Sequence, residues 1–300
     1  MPNAATEKKV DEVVAACARY GATSIIALAG PPATGKSHVA LIAAQRHAGL
    51  PSRVREIQFH QSFTYEEFVE GLRIDASGAV NHKAGVFLEV NDDATADPEH
   101  NHVLLIEELT RANLAAVLGE LLTYVEHRER SFRTLFGGTS VTVAPRLTIL
   151  ATFNPVDRSA LSIDAALLRR LRIIDFLPDA GQLADMLAAK SPPLPQIVVD
   201  RLIAVFAICK QKHPKEYDTM VPFGHGIFSE IASESDLCPL WEQRLRRMLY
   251  RPLQDPHPFA STIEAAYPWT DPIFRLVPEP VAVSASDIIG PNDKDSSQAT

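Results

Sequence analysis

Cysteine is scarce in this 300-residue chain. The three present, Cys17, Cys209 and Cys238, are odd in number and far apart. That spacing argues against a disulfide framework and against a zinc site, and it suits a reducing compartment. A basic excess is also missing: 29 Lys and Arg face 37 Asp and Glu, a formal net charge of −8. Duplex nucleic acid demands a basic footprint, so direct DNA binding is not indicated. No stretch reaches the roughly 18 unbroken apolar residues of a membrane span, and the N-terminus has no apolar core of a secretion signal. The expectation is a cytoplasmic chain with no membrane segment. What remains is ordinary for a globular protein, 46% hydrophobic and 22% charged, and long enough for two domains with cores of their own.

Short apolar runs alternate with helical periodicity through the first part of the chain. Strands are expected at 23–29, 54–59, 103–106, 147–153 and 172–177, and helices at 7–20, 36–47, 64–71, 111–127 and 163–171. Such alternation implies a parallel sheet covered on both faces. Residues 127–143 interrupt it with Gly137-Gly138 between β-prone pieces, which reads as a hairpin insertion. After Leu177 only helices are expected, with a Pro-rich turn at 191–196. The domain reading is therefore an α/β core over 1–178, a helical domain over 179–255, and an extended C-terminal segment with a flexible tail over 256–300.

Residues 30–37 read GPPATGKS, matching G-x-x-x-x-G-K-[ST] with an apolar strand before it and a helical pattern after it. Glycines let the backbone curl so that successive N–H groups face phosphate oxygens, and the new helix adds the positive end of its dipole. The candidate nucleotide-binding residues are Gly30, Pro31, Pro32, Ala33, Thr34, Gly35, Lys36, Ser37 and the following His38. Lys36 is expected to reach the β and γ phosphates and Ser37 to ligate Mg²⁺. ATP or GTP with Mg²⁺ are the implied cofactors.

Hydrolysis also needs a carboxylate that orients the metal and a group that aligns water. VLLIEE at 103–108 places Glu107 and Glu108 at the C-terminal end of a buried strand, the edge where α/β sheets hold ligands. Glu107 is the candidate metal-shell residue and Glu108 the candidate that polarises water. The acidic start of a following helix would also favour glutamate there. Asn154, at the end of LTILATFN, is placed to bind the γ-phosphate or the attacking water, although Asn before Pro155 is equally a turn signal. Arg169 and Arg170 close a helical stretch. They complement the helix C-terminus or act as arginine fingers on a neighbouring subunit's nucleotide.

Four ordered segments go beyond a generic phosphate loop: QFHQSFTYEEFVEGLR at 58–73, IEELTRANLAAVLGELLTYVEH at 106–127, FNPVDRSALSIDAALLRRL at 153–171 and FGHGIF at 223–228. Together they resemble the McrB family of motor subunits from modified-cytosine restriction systems, over about residues 20–250. The resemblance implies an α/β P-loop AAA+ fold, a five-stranded parallel sheet core with a C-terminal helical lid, assembling as a hexameric ring. It implies that Lys36, Ser37, Glu107 and Glu108 form the Mg-nucleotide site with Asn154 as sensor. It places Asp157 and Arg158 in the family's polar signature and Arg169 and Arg170 at its finger position. His225 falls in the lid segment, near the nucleotide or packed in the lid, and His60 belongs to a segment that supports the ring interface or pore.

The chain departs from the family in several places. Glu107 stands where Asp is usual and Thr110 where Asn is usual, and only about twenty residues precede the first strand, so the family's methylated-DNA reader is not expected here. No guanine-reading N-K-x-D motif is present, which leaves the base open. The functional expectation is a nucleoside triphosphatase ring that drives or gates a separate effector, such as an McrC-like nuclease in phage defence. The alternative is a MoxR-like chaperone or an assembly switch with marginal turnover.

Overall fold

A computed structural model describes residues 4–74, 76–155, 165–211, 223–250, 256–257 and 260–270. Helix α1 (Ala4–Tyr20) leads into strand β1 (Ile25–Ala29), which runs through the phosphate loop into α2 (Lys36–Ala48) and then β2 (Val54–Gln58). A short α3 (Tyr65–Phe68) is followed by a hairpin of β3 (Glu70–Ile74) and β4 (Val80–Ala84), then α4 (Val86–Ala96) and β5 (His102–Glu107). Helices α5 (Leu114–Leu118) and α6 (Leu121–Tyr124) precede a second hairpin, β6 (Ser131–Arg133) and β7 (Ser140–Thr142). Strand β8 (Leu147–Phe153), α7 (Ala165–Arg170) and β9 (Leu171–Asp175) complete the sheet.

The main sheet has five strands in the order β2-β5-β8-β1-β9, all parallel, as expected. Strand β1 lies between β8 and β9 although the chain runs on from it to β2 at the far edge. That reversal of direction is the switch point at which such sheets open a crevice for ligands. Every residue of β1 and β8 is buried, because helices cover both faces. On one face Ile26 and Leu28 meet Val10, Val13 and Cys17 of α1 and Val39, Ala40 and Ala43 of α2. Burial pushes the Cys17 thiol up to about 12, so it serves as a small apolar residue. On the other face Ile25, Ala27 and Ala29 pack with Phe68, Phe87, Leu104 and Ile149.

Two expected helices differ in the structure. The helix expected over 64–71 spans only Tyr65–Phe68, opened by a Thr64–Glu67 capping box, and the chain turns extended at Glu70. The Glu70 carboxylate is 4% exposed and accepts the N–H groups of Phe136 and Gly137 at 2.6 and 2.7 Å, tying the two hairpins together. The helix expected over 111–127 is broken at Gly119, whose φ of 49° with ψ of −129° lies outside the helical region.

After β9 the described residues are helical: α8 (Ala180–Ala188), α9 (Gln196–Gln211), α10 (Leu237–Leu240), a π turn at Trp241–Leu245 continuing into α11 (Arg246–Leu249), and α12 (Ala260–Ala266). Leu183, Leu202, Phe223, Phe228, Trp241, Leu245 and Tyr267 form their core. Residues 256–300 are expected to be extended, yet α12 lies within them, and Ile263 and Tyr267 are buried in that core. The tail over 271–300 lies outside the described residues.

Candidate functional site

The phosphate loop leaves the end of β1 at the switch point. Gly30 is required by close approach: a Cβ there would sit 2.1 Å from the Phe176 carbonyl oxygen. Its N–H donates to Phe153 O at 3.3 Å, anchoring the loop to β8. Ala33 (φ 63°) and Gly35 (φ 88°) are left-handed, and Thr34 Oγ1 donates to Pro31 O at 3.0 Å across the curl. Helix α2 then begins with no acidic side chain in its first turn, so the positive end of its dipole is not neutralised from within. Lys36 Nζ lies against the loop, donating to Gly30 O at 2.8 Å and Pro31 O at 2.9 Å.

Register brings the second half of the site to the first. Glu107 is the last residue of β5, and β5 pairs with β8 at Ile106–Ala151, which sets Thr152 beside Glu107. Ser37 Oγ, in the first turn of α2, donates to Glu107 Oε2 at 2.9 Å, and Thr152 Oγ1 donates to the same oxygen. Glu107 Oε1 is buried and has no hydrogen-bond partner. A buried carboxylate oxygen left unpaired beside a serine hydroxyl fits a hard cation that prefers oxygen ligands. Among the described residues no group of three or more His, Cys, Asp or Glu is set to hold a metal alone. Mg²⁺ here would therefore be held by Ser37 and Glu107 and would draw its other ligands from phosphates and water.

Glu108 follows with φ 56° and ψ 44°, the left-handed region that few non-glycine residues adopt. Its N–H donates to Thr152 Oγ1 at 3.4 Å and its carboxylate accepts from Arg111 Nε at 3.2 Å. The turn carries Glu108 out of the strand direction at the sheet edge. Thr110 is 1% exposed and its hydroxyl has no hydrogen-bond partner.

The remaining candidates fall in different places. Asn154 is 8% exposed and follows Phe153, whose register partner is Ala29, so it sits at the strand end next to the start of the phosphate loop. Arg169 and Arg170 share one carboxylate, each 3.2 Å from Glu126 Oε2. Their side chains differ sharply, Arg169 68% exposed and Arg170 9%. Asp157 and Arg158 lie outside the described residues. His60 is exposed just beyond β2, its ring edge-on to Phe63 with centroids 5.5 Å apart.

Sequence reasoning missed two parts of the site. Thr152, 2% exposed, bridges the Glu107 carboxylate and the Glu108 backbone, yet nothing in LTILATF marks one hydroxyl as special. The other part is a backbone contact: Gly224 N–H donates to Pro32 O at 2.6 Å and Gly226 N–H to Ala33 O at 2.8 Å. The helical unit is thereby docked directly on the phosphate loop. FGHGIF stands out in the sequence, but its partners, Pro32 and Ala33, lie far earlier in the chain and nothing in the segment points to them.

The sheet order, the loop at its switch point and the paired glutamates at the neighbouring strand end define a P-loop protein of the AAA+ class. Residues 25–171 match the family described as AAA domain (dynein-related subfamily). The chain is also 35% identical over 176 residues to the type IV methyl-directed restriction enzyme EcoKMcrB subunit of Escherichia coli (strain K12). That match takes in 55% of this chain but only 38% of the relative. Among the described residues no helix is long and apolar enough to cross a membrane.

Proposed function

We propose that this McrB-like AAA+ chain binds a Mg²⁺-nucleoside triphosphate at Gly30–Ser37 and hydrolyses its γ-phosphate, acting in a homo-oligomeric ring that drives or gates a partner. The observation that supports this reading most is the meeting of Ser37, Glu107 and Thr152 at the loop, with an unpaired buried Glu107 oxygen. In this reading bound Mg²⁺ neutralises phosphate charge. Lys36 exchanges its two loop carbonyls for β and γ phosphate oxygens, and loop N–H groups hold the rest of the chain of phosphates. Glu108, turned out of β5, accepts a proton from the attacking water, and Asn154 orients that water or the γ-phosphate. Burial of Arg170 favours Arg169 as the side chain offered to a neighbouring nucleotide, with Arg170 holding Glu126.

The partner is proposed by likeness to the restriction-enzyme subunit: a separate effector, such as an McrC-like nuclease in phage defence, with six subunits in the ring. A MoxR-like chaperone or assembly switch is the second reading. It draws on the docking of Gly224 and Gly226 on the loop, through which nucleotide binding alone would move the helical unit. Phosphate release from purified protein with Mg-ATP and Mg-GTP, across a concentration series with light scattering, decides between them. Turnover that rises as a ring forms and is lost in Glu108→Gln, with binding kept, is expected. Unchanged turnover in Glu108→Gln refutes the assigned role, and assembly without turnover favours the switch.

A further inference from the structure

The same two backbone bonds that dock the helical unit hold one side chain in a defined place. His225 lies between Gly224 and Gly226, so the donations to Pro32 O and Ala33 O fix its backbone on both sides. Neither flanking residue tolerates a side chain: a Cβ on Gly224 would meet Ala33 O at 2.2 Å, and one on Gly226 would meet it at 2.8 Å. The imidazole is 8% exposed, and its Nδ1 is buried without a hydrogen-bond partner. A ring nitrogen withdrawn from water with nothing to bond is unfavourable unless a group from outside meets it.

His225 also lines a cavity of about 630 Å³ that opens beside the phosphate loop. Thr34 and Gly35 form its phosphate end, and Val39, Phe176 and Met186 give it apolar wall. This size lies within the ~300–1,000 Å³ of small-molecule sites, and an apolar slot with a few polar atoms suits a nucleobase and its sugar. Burial lowers the pKa of His225, against a smaller opposing pull from Asp179, so the ring is neutral near pH 7. A neutral Nδ1 donates or accepts according to tautomer, and a sugar hydroxyl or a base edge satisfies either.

We propose that His225 is a nucleotide-contacting residue, its Nδ1 bonding the nucleoside end of the triphosphate and so joining the bound nucleotide to the docking of the helical unit on the phosphate loop. This rests on the proposed nucleotide site. It adds a contact that reads the nucleoside and not the phosphates.

The test measures binding of Mg-ATP, Mg-GTP, their 2′-deoxy forms and Mg-tripolyphosphate by calorimetry, in the parent protein and in His225→Ala, His225→Asn and Lys36→Ala. Loss of one such bond is expected to weaken nucleotide binding about tenfold in His225→Ala while tripolyphosphate binding stays at the parent level. His225→Asn, which keeps a polar atom at that reach, restores most of the affinity. If the 2′-hydroxyl is the partner, the deoxy forms bind His225→Ala and the parent alike; if the base is the partner, both forms lose equally. Nucleotide affinity unchanged in His225→Ala overturns the inference, and so does an equal loss of tripolyphosphate, which marks a structural role. Lys36→Ala loses both ligands if the phosphate site is right. A parent protein that binds neither ligand sinks the nucleotide reading itself, a result distinct from failure of His225 alone.

Discussion

Replacing Thr152 with Val keeps the shape of a side chain buried in the central sheet and removes only its hydroxyl. In the structure that hydroxyl donates to Glu107 Oε2 and accepts from the Glu108 N–H at 3.4 Å. A hydrogen bond to a charged group contributes about 1.5–3 kcal/mol, and the long bond from Glu108 adds little, so folding stability should fall by about 2–3 kcal/mol. The same hydroxyl points the Glu107 carboxylate at Ser37, which is the work of a residue behind a metal ligand. Losing such support costs about 10–100-fold in metal affinity or activity. The expectation is that Thr152→Val needs about 10–100-fold more Mg²⁺ for half-maximal nucleotide binding, while Thr152→Ser stays close to the parent. The assay is nucleotide binding titrated against Mg²⁺, with urea unfolding alongside to measure the stability loss. A Val variant that is less stable but has an unaltered Mg²⁺ requirement would show that Thr152 only packs, and the reasoning fails.

Three other outcomes are expected. Arg128 is 8% exposed and donates to the carbonyls of Gly21, Ala144 and Leu147 at 2.6–2.7 Å, so Arg128→Met, which removes all three charge-assisted bonds, should cost about 3–5 kcal/mol in denaturant unfolding. A cost under 1 kcal/mol would sink that account. Burial lowers the pKa of both His47 and His225, so the unfolded chain takes up their protons first as pH falls. Stability from this source is complete above the ordinary imidazole pKa and is lost below it. Thermal unfolding should therefore come earlier at pH 5.5 than at pH 7.5, and a His47→Leu change should flatten the difference; an equal pH dependence in that variant refutes the assignment. Arg169→Ala should abolish the rise of turnover with protein concentration and leave nucleotide binding intact, whereas Arg170→Ala should lower stability through Glu126. Concentration-dependent turnover surviving in Arg169→Ala removes it as the finger.

Local pattern determined a good part of this protein. The G-x-x-x-x-G-K-S spacing and the apolar run before it depend only on neighbouring residues, because loop curl, helix start and strand burial are set within about ten positions of chain. The five core strands were readable for the same reason, as was the pair Glu107-Glu108 at the end of one of them. The β3–β4 hairpin was not, since Ile74 and Val80 are exposed at 75% and 61% and leave no buried alternation to see. The break of the helix expected over 111–127 depended on a positive φ at Gly119, which an apolar period does not reveal.

Only the tertiary structure decided what stands beside what. The register of β5 on β8 chose Thr152 over its neighbours as the partner of Glu107, and a shift of one residue would have turned that hydroxyl to the opposite face. The unequal burial of Arg169 and Arg170 separated two adjacent residues of identical type, because one faces Glu126 from within the fold and the other from its surface. The docking of Gly224 and Gly226 on Pro32 and Ala33 joins backbone atoms, which every residue carries, so no side-chain pattern could announce it. The sequence by itself determined the chemistry the chain carries and the elements that present it; the three-dimensional packing, through pairings between segments far apart in the chain, decided which of those groups meet.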